Sequence, residues 1–198
     1  MSNPDYDHNN LYSAVSEDKG HELRLGVWQG NASFAVFTKG DNNGGGKNGT
    51  QAKVPLNIPS IRMLAMYLDK LLTAAPGAAP FSFNIENWNP QEKKMQTTGS
   101  IALGKDDKSR PYIGIAQGQA KFKFIMRFNS KIALPSDASE QERTILAIQT
   151  FRDALVLDTT QAIIISKFKR QQQGGGNGGK PSYGGGSSAS VEVDGIPW

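Results

Sequence analysis

The sequence predicts an α+β protein with antiparallel β-sheets and two helices. Short segments that alternate apolar and polar residues recur along the chain, and Gly, Asn or Pro separates one segment from the next. Two longer segments, residues 59–75 and 139–157, repeat their apolar residues with helical spacing instead. The resulting order is strands, helix, strands, helix, which favours antiparallel sheets and suggests a duplicated unit closed by a helix.

The first half of this pattern predicts three strands and one helix. Residues 21–28 and 33–39 alternate, and the turn-forming residues QGNA between them predict a hairpin. A loop rich in glycine and asparagine follows at residues 40–50, and residues 52–58 are predicted as a third, short strand. The apolar residues of the helix at 59–75 share one face: Ile61, Leu64, Ala65, Leu68, Leu71 and Leu72.

The second half predicts four strands and a second helix. The four alternating segments are residues 81–89, 93–104, 110–118 and 120–128. In the helix at 139–157, Ser139 and Glu142 have the spacing of a capping box. Residues 159–170 contain a run of β-branched side chains that favours a strand, while a continuation of the helix stays open.

Composition divides the chain into four parts. Residues 1–20 are polar and acidic and are predicted to be disordered, and residues 21–170 form the folded body. Residues 171–190 are a linker rich in Gly and Ser, with an average span of about 25 Å. Residues 191–198, VEVDGIPW, combine two acids with an apolar end and are predicted to bind another protein. We call this segment the C-terminal tip.

Charge and composition limit the classes of function. The chain has 198 residues and a net charge of +4, but residues 21–170 hold 20 basic and 12 acidic residues, a net charge of +8. A basic body between acidic ends predicts a polyanionic partner. The chain has no cysteine, which excludes disulfides, Cys-based zinc sites and a thiol nucleophile. It has no long apolar run and does not begin like a signal peptide, so we expect a cytoplasmic protein that does not bind a membrane.

Motifs for catalysis, cofactors or metals are not recognisable. The loop at 40–50 resembles a phosphate-binding loop, but Asp41 and Asn48 stand where the Walker pattern needs Gly and Ser or Thr. His8 and His21 have no partner at the spacing of a metal site or a catalytic triad. We therefore expect no enzymatic activity, no cofactor and no metal.

Aromatic and basic residues fall on the polar sides of the predicted strands. In KFKFIMRF, residues 121–128, the cations and the phenylalanines lie on opposite sides because strand side chains alternate. Rings on a basic, otherwise polar sheet face are suited to single-stranded nucleic acid, since bases stack on rings while cations follow the phosphates. The candidate nucleic-acid-binding residues are Arg24, Trp28, Phe37, Lys39, Trp88, Lys93, Lys94, Tyr112, Lys121, Lys123 and Arg127.

The end of the chain adds a resemblance to a family. A basic body, a Gly-rich linker and then Asp194-Gly195-Ile196-Pro197-Trp198 resemble the bacterial and phage single-stranded DNA-binding proteins, whose tails end in aspartates and Ile-Pro-Phe. The resemblance implies that the tip recruits DNA replication, recombination and repair proteins, and a phage origin would place the protein in the host bacterial cytoplasm. The candidate partner-binding residues are Glu192, Asp194, Ile196, Pro197 and Trp198.

For the body, the order of elements resembles the Whirly family of single-stranded DNA binders, which repeat a four-stranded sheet followed by a helix. An elaborated OB-fold is the alternative fold. The predicted function is sequence-tolerant binding of single-stranded DNA, and a homo-oligomer stays open. The alternatives are an RNA-binding or transcription-regulatory protein on the same scaffold, and a structural or protein-interaction module.

Overall fold

Two four-stranded antiparallel sheets and their helices make up the computed structural model, which describes residues 8–38, 50–128 and 133–174. Each sheet follows the chain from one strand to its neighbour, and α1 separates the first sheet from the second. The elements are β1 His8–Val15, β2 His21–Trp28, β3 Asn31–Thr38, β4 Thr50–Leu56, α1 Ile58–Thr73, β5 Phe81–Asn89, β6 Lys94–Lys105, β7 Pro111–Gln117, β8 Ala120–Ile125, α2 Glu140–Asp153, a π-helical turn Ala154–Asp158 and α3 Thr159–Gly174.

The predicted α+β class is confirmed, as is the order of strands, helix, strands, helix. The alternative of an OB-fold is wrong, because the eight strands form two separate four-stranded sheets and not one five-stranded barrel. The capping box is present: Ser139 Oγ accepts a hydrogen bond from the Glu142 N–H at 3.1 Å, and the Glu142 carboxylate accepts one from the Ser139 N–H at 2.7 Å.

The prediction of a disordered segment at residues 1–20 is wrong for the part that the structure describes. Residues His8–Val15 form β1, which pairs with β2 along the edge of the first sheet. Tyr12 and Ala14 of this strand are buried in the core. Residues 11–15 alternate over too short a distance to predict a strand, and pairing with β2 stabilises the strand that they form.

The interpretation of residues 159–170 as a strand is also wrong. After α2, the chain continues through the π-helical turn into α3, so one nearly continuous helix runs from residue 140 to 174. Ala162 and Ser166 on one side of α3 are buried, and this tertiary packing outweighs the β preference of the isoleucines. Residues 171–174, predicted as linker, belong to this helix as well.

One hydrophobic core lies between the inner sides of both sheets and the helices. Phe34 of β3 stacks on Phe151 of α2 with ring centroids 5.9 Å apart, and Tyr12 meets the same ring edge-on at 4.9 Å. The sheets touch where Ser16 bridges to Phe124 of β8, and where the Lys53 N–H donates to Gln117 Oε1 at 2.9 Å. Among the described residues, no helix is long and apolar enough to cross a membrane.

Candidate nucleic-acid interface

Each sheet keeps one side away from the core, and we call these sides the first and the second outer face. Along β2, the inner residues Leu23, Leu25 and Val27 are fully buried, whereas Trp28 on the other side is 43% exposed. The rings on the outer faces are therefore not core residues. This matters because rings covered by helices could not meet a ligand.

The first outer face forms a hollow of about 290 Å³ over β2, β3 and β4. The turn at Gln29-Gly30 has positive φ at both residues, the geometry of a tight two-residue hairpin, and it places Trp28 at one end of the hollow. Phe37 lies toward the other end. The floor between the two rings consists of small residues, Gly26, Ser33 and Ala35. A flat ligand can approach the backbone closely over such a floor.

Two cations border this hollow. The Arg24 guanidinium carbon lies 5.0 Å from the centre of the Phe37 ring. Glu22 accepts hydrogen bonds from Arg24 Nε at 3.0 Å and Nη2 at 2.8 Å, which raise the pKa of Arg24 and neutralise part of its charge. Lys53 of β4 supplies the second cation, and its Cα pairs with that of Ala35.

The sequence prediction missed Lys53, although its signal is visible in retrospect. Lys53 lies between Ala52 and Val54, both buried, so the alternation alone places it on the outer face. Lys39, which was predicted to lie here, is outside the described residues.

The second outer face brings together Tyr112, Lys121 and Lys123, as the sequence predicts. Lys123 Nζ lies 4.5 Å from the centre of the Tyr112 ring. The ring sits directly over Gly104, where an added Cβ would come within 2.6–2.9 Å of the ring and its hydroxyl. Gly104 is therefore required for the ring position. Lys121 and Lys123 are exposed, and between their strand and β5 the floor is again made of small residues: Ser100, Ala102, Gly104, Gly114 and Ala116.

Trp88 lies on the same side of the second sheet but far from Tyr112. It is 59% exposed and pairs across the β5–β6 hairpin with Met95, which is also exposed. By strand geometry it is about 26 Å along the sheet from the level of Tyr112. Lys93 lies in the turn of this hairpin, and Lys94 pairs with Asn89, on the side opposite Trp88. Lys94 also forms a salt bridge with Glu92 at 2.7 Å. These residues form a separate group and not an extension of the Tyr112 patch.

The placement of Arg127 in the cation row of β8 is wrong. The strand ends at Ile125, and both Ile125 and Met126 are buried where the chain turns toward α2. The Arg127 N–H donates to the Tyr12 hydroxyl at 3.1 Å. Its side chain lines a different pocket, together with Arg110 and Arg143.

A cleft of about 410 Å³ opens between β4 of the first sheet and β5 of the second. Its floor is apolar, with Val54, Leu56 and Phe83, and its polar lining includes the acid Glu86 and four amide side chains, Asn31, Asn57, Asn84 and Asn87. No periodicity in the sequence could reveal this cleft, because the two strands that form it are separated by α1. It opens beside the edge strands β4 and β5, with residues of α1 in its lining.

The described residues contain no group of three His, Asp or Glu side chains that could hold a metal ion. Asp106, which lies next to Asp107 in the turn between β6 and β7, accepts hydrogen bonds from the Lys108 and Arg110 N–H groups at 3.0 and 2.9 Å and from Arg110 Nε at 2.8 Å. Burial acts to raise its pKa, but these bonds lower it below its usual value. The carboxylate thus organises a turn. The predicted tip residues Glu192, Asp194, Ile196, Pro197 and Trp198 lie outside the described residues.

Comparison with family models, with curated proteins and with solved structures finds no match for this chain. The interpretation of the two outer faces therefore rests on their own chemistry.

Proposed function

We propose that this protein binds single-stranded DNA without strong sequence preference and without catalysis. The observation that carries the proposal is the repeated design of the two outer faces. Each combines a solvent-accessible ring with cations beside a floor of small residues: Trp28 with Arg24 and Lys53, and Tyr112 with Lys121 and Lys123.

Stacking on the rings supplies the base contacts. Every base has a π-face, so a ring accepts any of them, with a gain of about 1–3 kcal/mol for each stacked base. On the second outer face, Lys123 occupies the space over Tyr112 in the free protein. A base that stacks there displaces the ammonium group, which then reaches a phosphate. The small residues of the floor let the sugar and base approach the sheet closely.

In this proposal, the DNA crosses from one sheet to the other at the cleft between β4 and β5. The amide groups of the cleft can form hydrogen bonds with the edges of bases, and its apolar floor can contact the face of a base. The Lys53 N–H also donates a hydrogen bond to Gln117, the last residue of β7. Lys53 is therefore close to the β7–β8 turn, and Lys121 follows that turn. One strand of DNA can thus contact both sheets. The tip then serves to recruit replication, recombination and repair proteins.

The test is the affinity of a fluorescently labelled poly-dT oligonucleotide, measured by anisotropy at two salt concentrations. We expect Trp28→Ala and Tyr112→Ala each to weaken binding about 5- to 150-fold, the equivalent of about 1–3 kcal/mol. Lys121→Gln with Lys123→Gln should lower the slope of log affinity against log salt by about 1.4, since each phosphate contact contributes about 0.7. Met66→Ala, an exposed apolar residue on α1, is the matched control and should change nothing.

The outcomes separate this proposal from its alternatives. A matched RNA strand that competes as well as the DNA, or better, would favour an RNA-binding protein. No salt-sensitive binding of either strand by the intact protein would reject the proposal and favour a protein-interaction module with a basic face. Normal binding by the combined Trp28→Ala and Tyr112→Ala variant would show that the outer faces are not the interface.

A further inference from the structure

A pocket of about 400 Å³ lies between the end of the second sheet and α2. Its wall is apolar, with Met126, Phe128 and Leu134. Three guanidinium groups come to it from different elements: Arg110 from the start of β7, Arg127 from the end of β8 and Arg143 from α2. We call it the arginine pocket.

The positive charge of this pocket is balanced only in part, by the acids on Arg110, by Glu140 in the lining and by a weak electrostatic interaction of Arg143 with Glu142. Arg110 is bound by Asp106 at 2.7 Å and by Glu17 at 2.6 Å. Within the described part of the chain, no carboxylate lies within 4.0 Å of Arg127 or Arg143, although Glu140 also lines the pocket. Arg143 uses Nε for a hydrogen bond to the Ala138 carbonyl at 3.2 Å, which leaves its terminal nitrogens available. Guanidinium groups beside an apolar wall are suited to an acidic peptide with an apolar or aromatic end.

The chain itself contains such a peptide. The tip carries Glu192 and Asp194 and, next to them, Ile196, Pro197 and Trp198. We propose that residues 191–198 dock in the arginine pocket of the same molecule, with the acids on Arg127 and Arg143 and the indole against the apolar wall. A buried Trp removes about 150–250 Å² of its surface from water, and a proline lowers the cost of ordering the segment.

The length of the connecting segment allows this docking. Sixteen residues separate the end of α3 at Gly174 from Val191. Fully extended, they reach at most about 53–58 Å. A body of this size measures about 40 Å across and about 63 Å around half of its circumference, so the extended segment can reach most of its surface. A tethered segment meets its site at an effective concentration in the millimolar range for short flexible linkers, so even a weak contact is well populated.

The experiment uses the full chain with Trp28→Phe and Trp88→Phe, which leaves Trp198 as the only tryptophan. Both replaced residues are exposed, so the body should fold normally. In the absence of nucleic acid, we expect blue-shifted emission from Trp198 and at least twofold less quenching by acrylamide than in a free peptide of residues 187–198. Arg127→Glu with Arg143→Glu should abolish both effects, and adding Glu192→Lys with Asp194→Lys should restore them.

The matched control is Arg62→Glu with Lys70→Glu, two exposed cations of α1, which should leave Trp198 protected. Circular dichroism checks that every variant is folded. Peptide-like quenching in the parent would overturn the proposal. Protection lost with Lys121→Glu and Lys123→Glu, but kept in the arginine variant, would place the tip on the second outer face instead. Protection that disappears on dilution would overturn docking within one molecule. No nucleic acid is present, so these results are independent of the proposed function.

Discussion

At the scale of single residues, Tyr12 links β1 to the rest of the body. Its ring is 6% exposed and meets Phe151 edge-on, and its hydroxyl accepts the hydrogen bond from the Arg127 N–H. The hydroxyl thus satisfies a backbone donor just beyond the last strand. Tyr12 therefore helps to hold the chain in place just beyond β8, although it lies in a mostly polar segment of the sequence.

We predict that Tyr12→Phe lowers the free energy of unfolding by about 1–2 kcal/mol, because the Arg127 N–H loses its acceptor while the ring packing is kept. Chemical denaturation measures this change. Tyr67→Phe is the control, because the Tyr67 hydroxyl has no hydrogen bond to any described residue and its ring packs on Phe81 and Phe83. An equal loss in both variants would contradict the role assigned to the Tyr12 hydroxyl.

The same residue predicts a response to alkaline pH. Burial raises the pKa of Tyr12 above its usual value, so the folded protein keeps the phenol proton more firmly than the unfolded chain does. The stability from this group is complete below the unfolded pKa, about 10, and is lost as the pH rises through the folded pKa. The Tyr12→Phe protein should therefore lose less stability than the parent between pH 9 and 11.

At the scale of elements, the β6–β7 turn depends on one carboxylate. Asp106 accepts three hydrogen bonds from Lys108 and Arg110, and its main chain receives the Gly77 N–H at 3.2 Å and the Ser109 N–H at 2.9 Å. The next link is Thr144 of α2, whose hydroxyl donates to the Ser109 carbonyl at 3.1 Å. The turn therefore positions α2 as well as β7.

We predict that Asp106→Ala lowers the free energy of unfolding by about 2–3 kcal/mol, because hydrogen bonds to a charged group contribute about 1.5–3 kcal/mol each and not all are independent. Asp107→Ala, on the exposed neighbour, should change it by less than about 0.5 kcal/mol. The pKa of Asp106 is lowered, so its contribution is complete above about pH 4 and is lost as the pH falls through the folded pKa. Thermal unfolding between pH 2 and 7 checks this, and equal acid sensitivity of the two variants would contradict it.

The sequence predicted elements well where periodicity and local chemistry agree. The strand alternation of β2, β3 and β7, the apolar face of α1 and the capping box of α2 all depend on neighbours along the chain. The errors at β1 and α3 have one physical cause, which is that distant partners decide the structure. β1 needs β2 beside it, and α3 is selected by the core that Ala162 and Ile163 enter.

The candidate site divides in the same way. Alternation was enough to put Trp28 with Arg24 on one side of β2, and Tyr112 on the polar side of its own strand, but the pairing of β7 with β8 is what brings Lys123 to Tyr112. It could not show the cleft between β4 and β5 or the arginine pocket, because each is built from segments that are far apart in the sequence. It also could not place Arg127, since alternation stops where the strand stops at Ile125.

At the scale of the whole molecule, the question is whether one strand of nucleic acid crosses both outer faces. The two sheets meet at the cleft and at the contact between Lys53 and Gln117, and a strand of nucleic acid that uses both faces would cross there. Such a strand gains stacking and phosphate contacts from both sheets. An oligonucleotide too short to cross can bind only one face at a time.

We therefore predict that oligonucleotides of about 4 and about 16 nucleotides bind differently, these lengths being the ends of the range of site sizes known for one OB-fold. The longer one should bind once per chain, and the shorter one twice.

Two double variants test this prediction. Trp28→Ala with Lys53→Gln weakens binding to the first face, and Tyr112→Ala with Lys121→Gln weakens binding to the second. For the long strand, the losses in binding free energy should add when the two variants are combined, because each face holds a different part of it. For the short strand, either variant should remove one of the two binding events and leave the other at full affinity, because the faces then act separately. Isothermal titration calorimetry gives both stoichiometries and affinities. Two long strands per chain, or a long strand that is indifferent to one of the variants, would mean that the faces do not form one path.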